Sequence, residues 1–282
     1  MNIAKYRISR LILPLLTIAL MSGLPTGNNI AAEMTGNHAF PEKIMIRLSS
    51  YGVNQASTDI LVLSSAGVGT IFSFDEELGG EDSATIPRFD AYYRFNERHR
   101  IDYSNFSIDR DGLKTLVIGT EITIGDKTYF ETETIKSELN YSLSKIAYAY
   151  SFYHSPSVEM SFTAGLNITD YEFNYSLEDG SNASVNGASA PLPMFGLRMG
   201  YAINKNWSVN YITESFFIEI ENEFKGTFLN YELDIEYKFD NKLAIGAGLV
   251  RTSLDLEVED SDWNGSIVDS YRGMLLYAAY YF

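Results

Sequence analysis

The sequence has no cysteine, 7 prolines and 3 histidines in 282 residues, and past residue 21 it has no long apolar run. Each shortage excludes something. Without cysteine there is no disulfide, no thiolate chemistry and no lipid anchor on an N-terminal Cys. A membrane-spanning helix needs about 20 consecutive apolar residues. Any crossing of a bilayer by this chain must therefore use closed strands. Basic residues are also few, 21 against 37 acidic ones, which gives a formal charge of −16. Such a surface repels nucleic-acid phosphates, which bind basic faces.

What the chain does contain begins with a basic start. Lys5, Arg7 and Arg10 precede a largely apolar stretch over residues 11–21, and small and polar residues then lead to Ala31-Ala32. That order predicts a secretory signal peptide over 1–32, cleaved near Ala32. Its removal takes away three positive charges and no negative ones, leaving a formal charge of about −19. A short periplasmic segment, 33–42, then precedes a barrel over 43–282.

Tyr (20), Phe (17) and Gly (21) are abundant. Membrane barrels carry aromatic girdles, and their strands alternate between lipid-facing and lumen-facing residues. Residues 158–169 alternate in this way. Val158, Met160, Phe162, Ala164, Leu166 and Ile168 share one parity, and Glu159, Ser161, Thr163, Asn167 and Thr169 the other. In 229–239, Leu229, Tyr231, Leu233, Ile235, Tyr237 and Phe239 oppose Asn230, Glu232, Asp234, Glu236 and Lys238. The phase slips near Leu143, as at a bulge or where a strand leaves the membrane.

Short polar turns at 96–98, 155–157, 204–206 and 240–242 alternate with longer links near 54–86, 110–137, 176–192, 221–226 and 257–270. Outer-membrane barrels have this asymmetry, with short periplasmic turns and long outer loops. The fold class predicted is all-β, an antiparallel transmembrane barrel of about ten strands, within a range of eight to twelve. Residues 60–74 and 114–134 also read as extended, either as hairpins above the membrane or as additional strands.

The chain ends with Met274, Leu276, Ala278, Tyr280 and Phe282 on one parity. A last strand finishing in Phe resembles the signal read by the barrel-assembly machinery of Gram-negative outer membranes. With the strand–turn–strand over 92–103, the chain resembles the small outer-membrane barrels of the OmpA-like and OmpW-like kind, though it is longer. The resemblance implies an outer-membrane location, with membrane lipid, lipopolysaccharide and the assembly machinery as partners.

Candidate functional residues fall into three sets. The histidines His38, His99 and His154 precede the first strand or flank short turns, so all three are expected at the periplasmic end. Outer-membrane lipid hydrolases and omptin-like proteases, as families, use a His near or above the outer leaflet, so this placement speaks against serine–histidine catalysis. Charges on the polar parity form the second set: Arg88, Asp90, Arg94, Arg100, Asp102, Glu159, Arg198, Glu232, Asp234, Glu236 and Lys238. An unpaired buried charge is costly, so the basic cluster at Arg88, Arg94 and Arg100 should meet the acidic one at Glu232, Asp234 and Glu236 across the lumen. The pairs would plug the lumen, or they would line a narrow pore.

The outer loops make up the third set. Two acidic runs, one over 75–82 and one over 255–262, are either solvated or bridged by divalent cations to lipopolysaccharide phosphates. Asp260, Asp262 and Asn264, followed by Gly265, match the first half of an EF-hand loop and give a weak Ca²⁺ candidate. The position of the bidentate Glu holds Tyr271 instead, and the Asn264-Gly265 pair equally suits a tight turn. No motif implies another cofactor. The expectation is a non-catalytic envelope barrel with structural or surface-interaction duties, ahead of a narrow solute channel and of an outer-leaflet lipid-modifying enzyme. A soluble secreted β-sandwich is the fourth reading.

Overall fold

The computed structural model describes residues 39–117, 119, 121–181, 183–220, 224–239, 242–259 and 264–282. Ten long strands form an antiparallel ring: β1 (Ile44–Val62), β3 (Ala84–Arg94), β4 (His99–Thr115), β7 (Thr134–His154), β8 (Val158–Leu177), β9 (Ser184–Ala202), β10 (Trp207–Ile220), β11 (Phe224–Phe239), β12 (Leu243–Glu259) and β13 (Asn264–Tyr281). Each pairs with its neighbour in sequence, and β13 returns to β1 from Met45↔Tyr281 to Val62↔Gly265, which closes the ring. Closure leaves no open edge, as lipid requires. Three short strands lie outside the ring. These are β2 (Ile71–Ser73), which folds back on the end of β1, and the hairpin β5 (Ile122–Ile124) and β6 (Lys127–Tyr129). The extended reading of 60–74 and 114–134 thus resolves as the end of β1 with β2, and as this hairpin.

The strands are longer than the membrane needs. β7 has 21 residues and β8 has 20, against about 9–11 for one tilted crossing. Most of the exposed large apolar residues of the ring strands lie towards the short-turn end, Leu113, Val185, Phe217 and Val268 being exceptions. On β7 they are Ile146, Tyr148, Tyr150 and Phe152; on β8, Phe162, Leu166 and Ile168; on β13, Met274, Leu276 and Tyr280. At that end, ring pairs such as Trp207–Tyr237 (5.0 Å), Tyr93–Phe95 (5.0 Å) and Tyr280–Phe282 (4.8 Å) form a girdle.

Above this belt the pattern inverts without any change of register. On β8, Asp170 and Glu172 face outward while Tyr171, Phe173 and Tyr175 are buried. The slip near Leu143 has the same origin. Pairing runs unbroken through Phe106↔Leu143 and Leu143↔Thr169, so the strand leaves the membrane there and no bulge is present. The bulges lie elsewhere, between Val53 and Gln55 and between Ser151 and Tyr153.

This inversion corrects the loop lengths read from the sequence. The strands continue into the links assigned near 176–192, 221–226 and 257–270, and among the described residues the long connections are 63–83 and 116–133. The first of these enters the wall through the Gly80↔Gly112 bridge, where pairing between β3 and β4 has ended. Proline, which lacks an amide donor, also marks the unpaired stretches. Pro87 precedes the first β3–β4 pair, and Pro191 and Pro193 lie in the part of β9 that pairs with β8 alone.

Candidate functional site

The lumen has two layers. In the membrane-level layer, small inward residues on each wall leave room for long charged ones from the facing wall. Arg47 on β1 and Arg88 on β3 reach the same two carboxylates. Arg47 Nε lies 3.0 Å from Asp90 and its Nη2 3.0 Å from Glu232; Arg88 Nη2 lies 2.9 Å from Asp90 and its Nη1 2.8 Å from Glu232. Glu232 belongs to β11, so this quartet ties opposite walls together. Arg94 and Glu159 form a bidentate pair at 2.8 and 2.9 Å, and Ser151 donates a further hydrogen bond to Glu159. Paired bonds of this kind are among the stronger ones available to a buried charge. A third group joins Lys145 Nζ to Glu214 at 2.9 Å, Arg198 to Glu214 at 3.5 Å and to Asp102 at 3.7 Å, and Arg100 to Asp102 at 3.0 Å.

Tyrosines complete the layer. Tyr277 donates to Asp234 at 2.8 Å, Asn210 Nδ2 donates to the same carboxylate at 2.9 Å, and Tyr281 donates to Glu236 at 2.8 Å. The Tyr277 ring occupies the space over Gly246, where a Cβ would sit 2.2 Å from its Cζ. At the short-turn mouth, Lys238 pairs with Glu42 at 2.7 Å. Residues 39–43 cross the opening there, with Ala39 N bonded to Ser155 O at 3.0 Å and the Phe40 ring lying over Gly200. The cavities in this layer include one of about 120 Å³ lined by Arg47, Arg100, Asp102, Glu159 and Arg198, and one of about 30 Å³.

The upper layer is apolar. Phe72, Phe74, Leu78, Ile124, Ile135, Leu139 and Phe173 are almost fully buried. Phe72 packs 5.8 Å from Phe173, and Tyr141 stacks on Tyr171 at 4.5 Å. Strand β2 and the β5–β6 hairpin supply part of this core and cover its top. Two polar groups are set into it. Arg110 donates to Thr58 Oγ1 at 2.7 Å and to Glu81 O at 2.6 Å, and it pairs with Asp75. Asp269 accepts from Thr58 Oγ1 at 2.9 Å, from Tyr171 OH at 2.9 Å and from Tyr271 OH. Burial pushes the Asp269 carboxyl up to about 6, although the three hydroxyl donors and Arg110 pull the other way.

The eleven lumen charges read from the sequence all lie on inward positions, but they do not pair as two opposed clusters. Only Arg88 meets Glu232. Arg94 takes Glu159, Arg100 takes Asp102, and Asp234 and Glu236 are held by tyrosines. Pairing across a barrel depends on the height of each residue, which parity alone does not give. Arg47, Lys145 and Glu214 were missing from the set. Arg47 and Lys145 sit on the polar parity of alternating stretches and could have been included. Glu214 was hidden because Ile212 interrupts the polar parity it shares with Asn210. His99 and His154 stand at the short turns, bonded to Tyr148 and 3.7 Å from Glu97 respectively. His38 lies outside the described residues. So do Asp260 and Asp262 of the Ca²⁺ candidate, while Asn264 opens β13.

No family model and no curated protein matches the chain. Solved structures do. The outer membrane protease OmpT from Escherichia coli superposes with a TM-score of 0.51 at 10% identity, over 88% of this chain and 99% of that one. The outer membrane protein OprG from Pseudomonas aeruginosa gives 0.36 at 11% identity, over 88% and 98%. Ail of Yersinia pestis gives 0.35 at 8% identity, over 84% and 99%. At 10% identity the OmpT superposition establishes the fold alone, that of an outer-membrane β-barrel.

Proposed function

We propose that this chain, with the fold of a Gram-negative outer-membrane β-barrel, is a closed, non-catalytic barrel that holds a rigid acidic platform above the outer membrane for structural or surface-interaction duties. The observation that carries the reading is the filling of the lumen. Paired charges occupy the membrane level, and an aromatic core with a capping hairpin occupies the level above. Among the described residues, the side chains of these two layers fill the lumen across the path a solute would take. The strands that hold the core turn Asp109, Asp111, Asp170 and Glu172 outward, which makes a surface suited to basic or cation-bridged partners.

A narrow channel is the second reading, favoured by the cavity of about 120 Å³ among Arg47, Arg100 and Arg198 at the periplasmic mouth. One recording separates the two. Detergent-refolded protein, with heat-dependent gel mobility confirming the barrel, is expected to leave a planar bilayer electrically silent. Stable, salt-dependent conductance steps would overturn the closed-barrel reading and establish the channel. The OmpT likeness concerns backbone at 10% identity, so a peptidase or lipid-modifying role would need turnover by this protein itself.

A further inference from the structure

We propose that Arg251 and Arg272 form a site on the outer wall of the barrel for the phosphate of an outer-leaflet lipid. The inference rests on reading the chain as an outer-membrane barrel with its short turns in the periplasm. Arg251 on β12 and Arg272 on β13 are direct cross-strand partners, and both are exposed. Like charges placed directly opposite on a sheet repel one another. Among the described residues, neither arginine has an acidic partner. Salt bridges form elsewhere on the upper exterior, where Lys136 lies 2.9 Å from Glu138 and Lys225 lies 4.0 Å from Glu219. In a chain of charge −16, an unneutralised arginine pair calls for an external anion.

Its height on the barrel identifies the anion. One row below the pair, facing out, are Leu233, Leu249 and Met274, the upper limit of the apolar belt. One row above are Ser253 and Ser270, on the hydrophilic exterior. The pair therefore stands where lipid headgroups begin. Polar groups flank it in the same row. Tyr231 is the register partner of Arg251, and Gln55 that of Arg272. The β1 bulge falls at this point and leaves both Asn54 and Gln55 exposed, so two amides reach one side of the groove. These residues line a groove of about 610 Å³ with Leu233, Leu249 and Met274 at its lower end. Guanidinium forks suit phosphate oxygens, and the apolar floor suits the acyl chains below them. A phosphate carried on a lipid satisfies both parts of the groove, whereas free phosphate satisfies only the first.

The test is native mass spectrometry of the full-length barrel refolded in detergent with bisphosphorylated lipid A. The expected result is retention of the lipid by the wild type, at least tenfold weaker retention by R251Q/R272Q, and unchanged retention by the control K136Q. Lipid A stripped of its phosphates should not be retained, and millimolar inorganic phosphate should not displace the intact lipid. Equal retention by R251Q/R272Q, or retention of the dephosphorylated lipid, would overturn the site. Displacement by inorganic phosphate would reduce it to a general anion patch and overturn the lipid assignment. Heat-dependent gel mobility is read in parallel. Its absence in the wild type would count against the barrel reading itself, and its presence in R251Q/R272Q shows that lost retention is not lost folding.

Discussion

The lower and upper halves of this barrel are built on the same strands and differ in which face is apolar. Below, Phe162, Leu166 and Ile168 of β8 face outward while Thr163 and Asn167 are buried. A few residues higher on the same strand, Asp170 and Glu172 face outward while Tyr171, Phe173 and Tyr175 are buried. The pleat does not change between the two; the surrounding solvent does. In lipid, a wall must be apolar outside, and its interior can hold charges only if they are paired. In water, the same wall is stable when it buries its apolar side chains. The upper half is thus a water-soluble β-barrel core continuous with a membrane anchor whose polarity is reversed.

If the lower interior is held by paired charges, breaking one pair should have the largest effect. Glu232→Gln leaves Arg47 and Arg88 sharing Asp90, with Asp234 3.9 Å from Arg47 as the remaining carboxylate, and it is expected to cost about 3–5 kcal/mol, as for other broken buried pairs. Urea titration in detergent micelles measures this. A loss under about 1 kcal/mol would mean that water reaches these charges and that the lower layer is not dry.

The upper half should respond to pH through Asp269. Its carboxyl is raised from 3.8 to about 6 by burial. Between those values the folded barrel holds a proton that the unfolded chain has released. The contribution of Asp269 to stability is therefore fully present below pH 4 and is lost as pH rises through 6, by about 3 kcal/mol at 1.36 kcal/mol per pKa unit. Asp269→Asn is expected to flatten that part of the profile when the urea midpoint is followed from pH 4 to 7. An unchanged slope would locate the titration elsewhere.

Exterior substitutions sharpen the comparison at smaller cost. Ala164→Arg places a charge near the middle of the lipid belt and is expected to cost about 2–4 kcal/mol. Glu172→Arg, eight residues up the same face, should stay within about 0.5 kcal/mol. Similar costs at both positions, measured in lipid vesicles, would remove the boundary between the halves.

Much of the lower half was legible in the sequence because apolar-out alternation is the pattern expected of a membrane strand. The paired runs around Phe162 and Leu233, the ten-strand ring and the inward charges all follow from it. The outer ends of the strands, such as 54–62, 110–115, 184–192 and 264–270, were read as links because the strands carry the opposite alternation there. Asp170, Tyr171, Glu172 and Phe173 look irregular until the inversion is allowed for. Asp269 carried a usable signal, being an acid on the inward parity between Ile267 and Tyr271. Its partners Thr58 and Tyr171 lie on strands distant in sequence, and only the closed ring brings them to the same height.

The absence of native cysteine allows the inversion to be measured residue by residue. Single cysteines at the outward positions of β8, from Phe162→Cys through Ala164→Cys, Leu166→Cys and Ile168→Cys to Asp170→Cys, Glu172→Cys and Asn174→Cys, can be exposed to a membrane-impermeant maleimide in proteoliposomes. Labelling is expected to be absent through position 168 and complete from 170 upward. Uniform labelling along the strand, or protection that continues past 172, would contradict the division of this barrel into a lipid-facing half and a water-facing half.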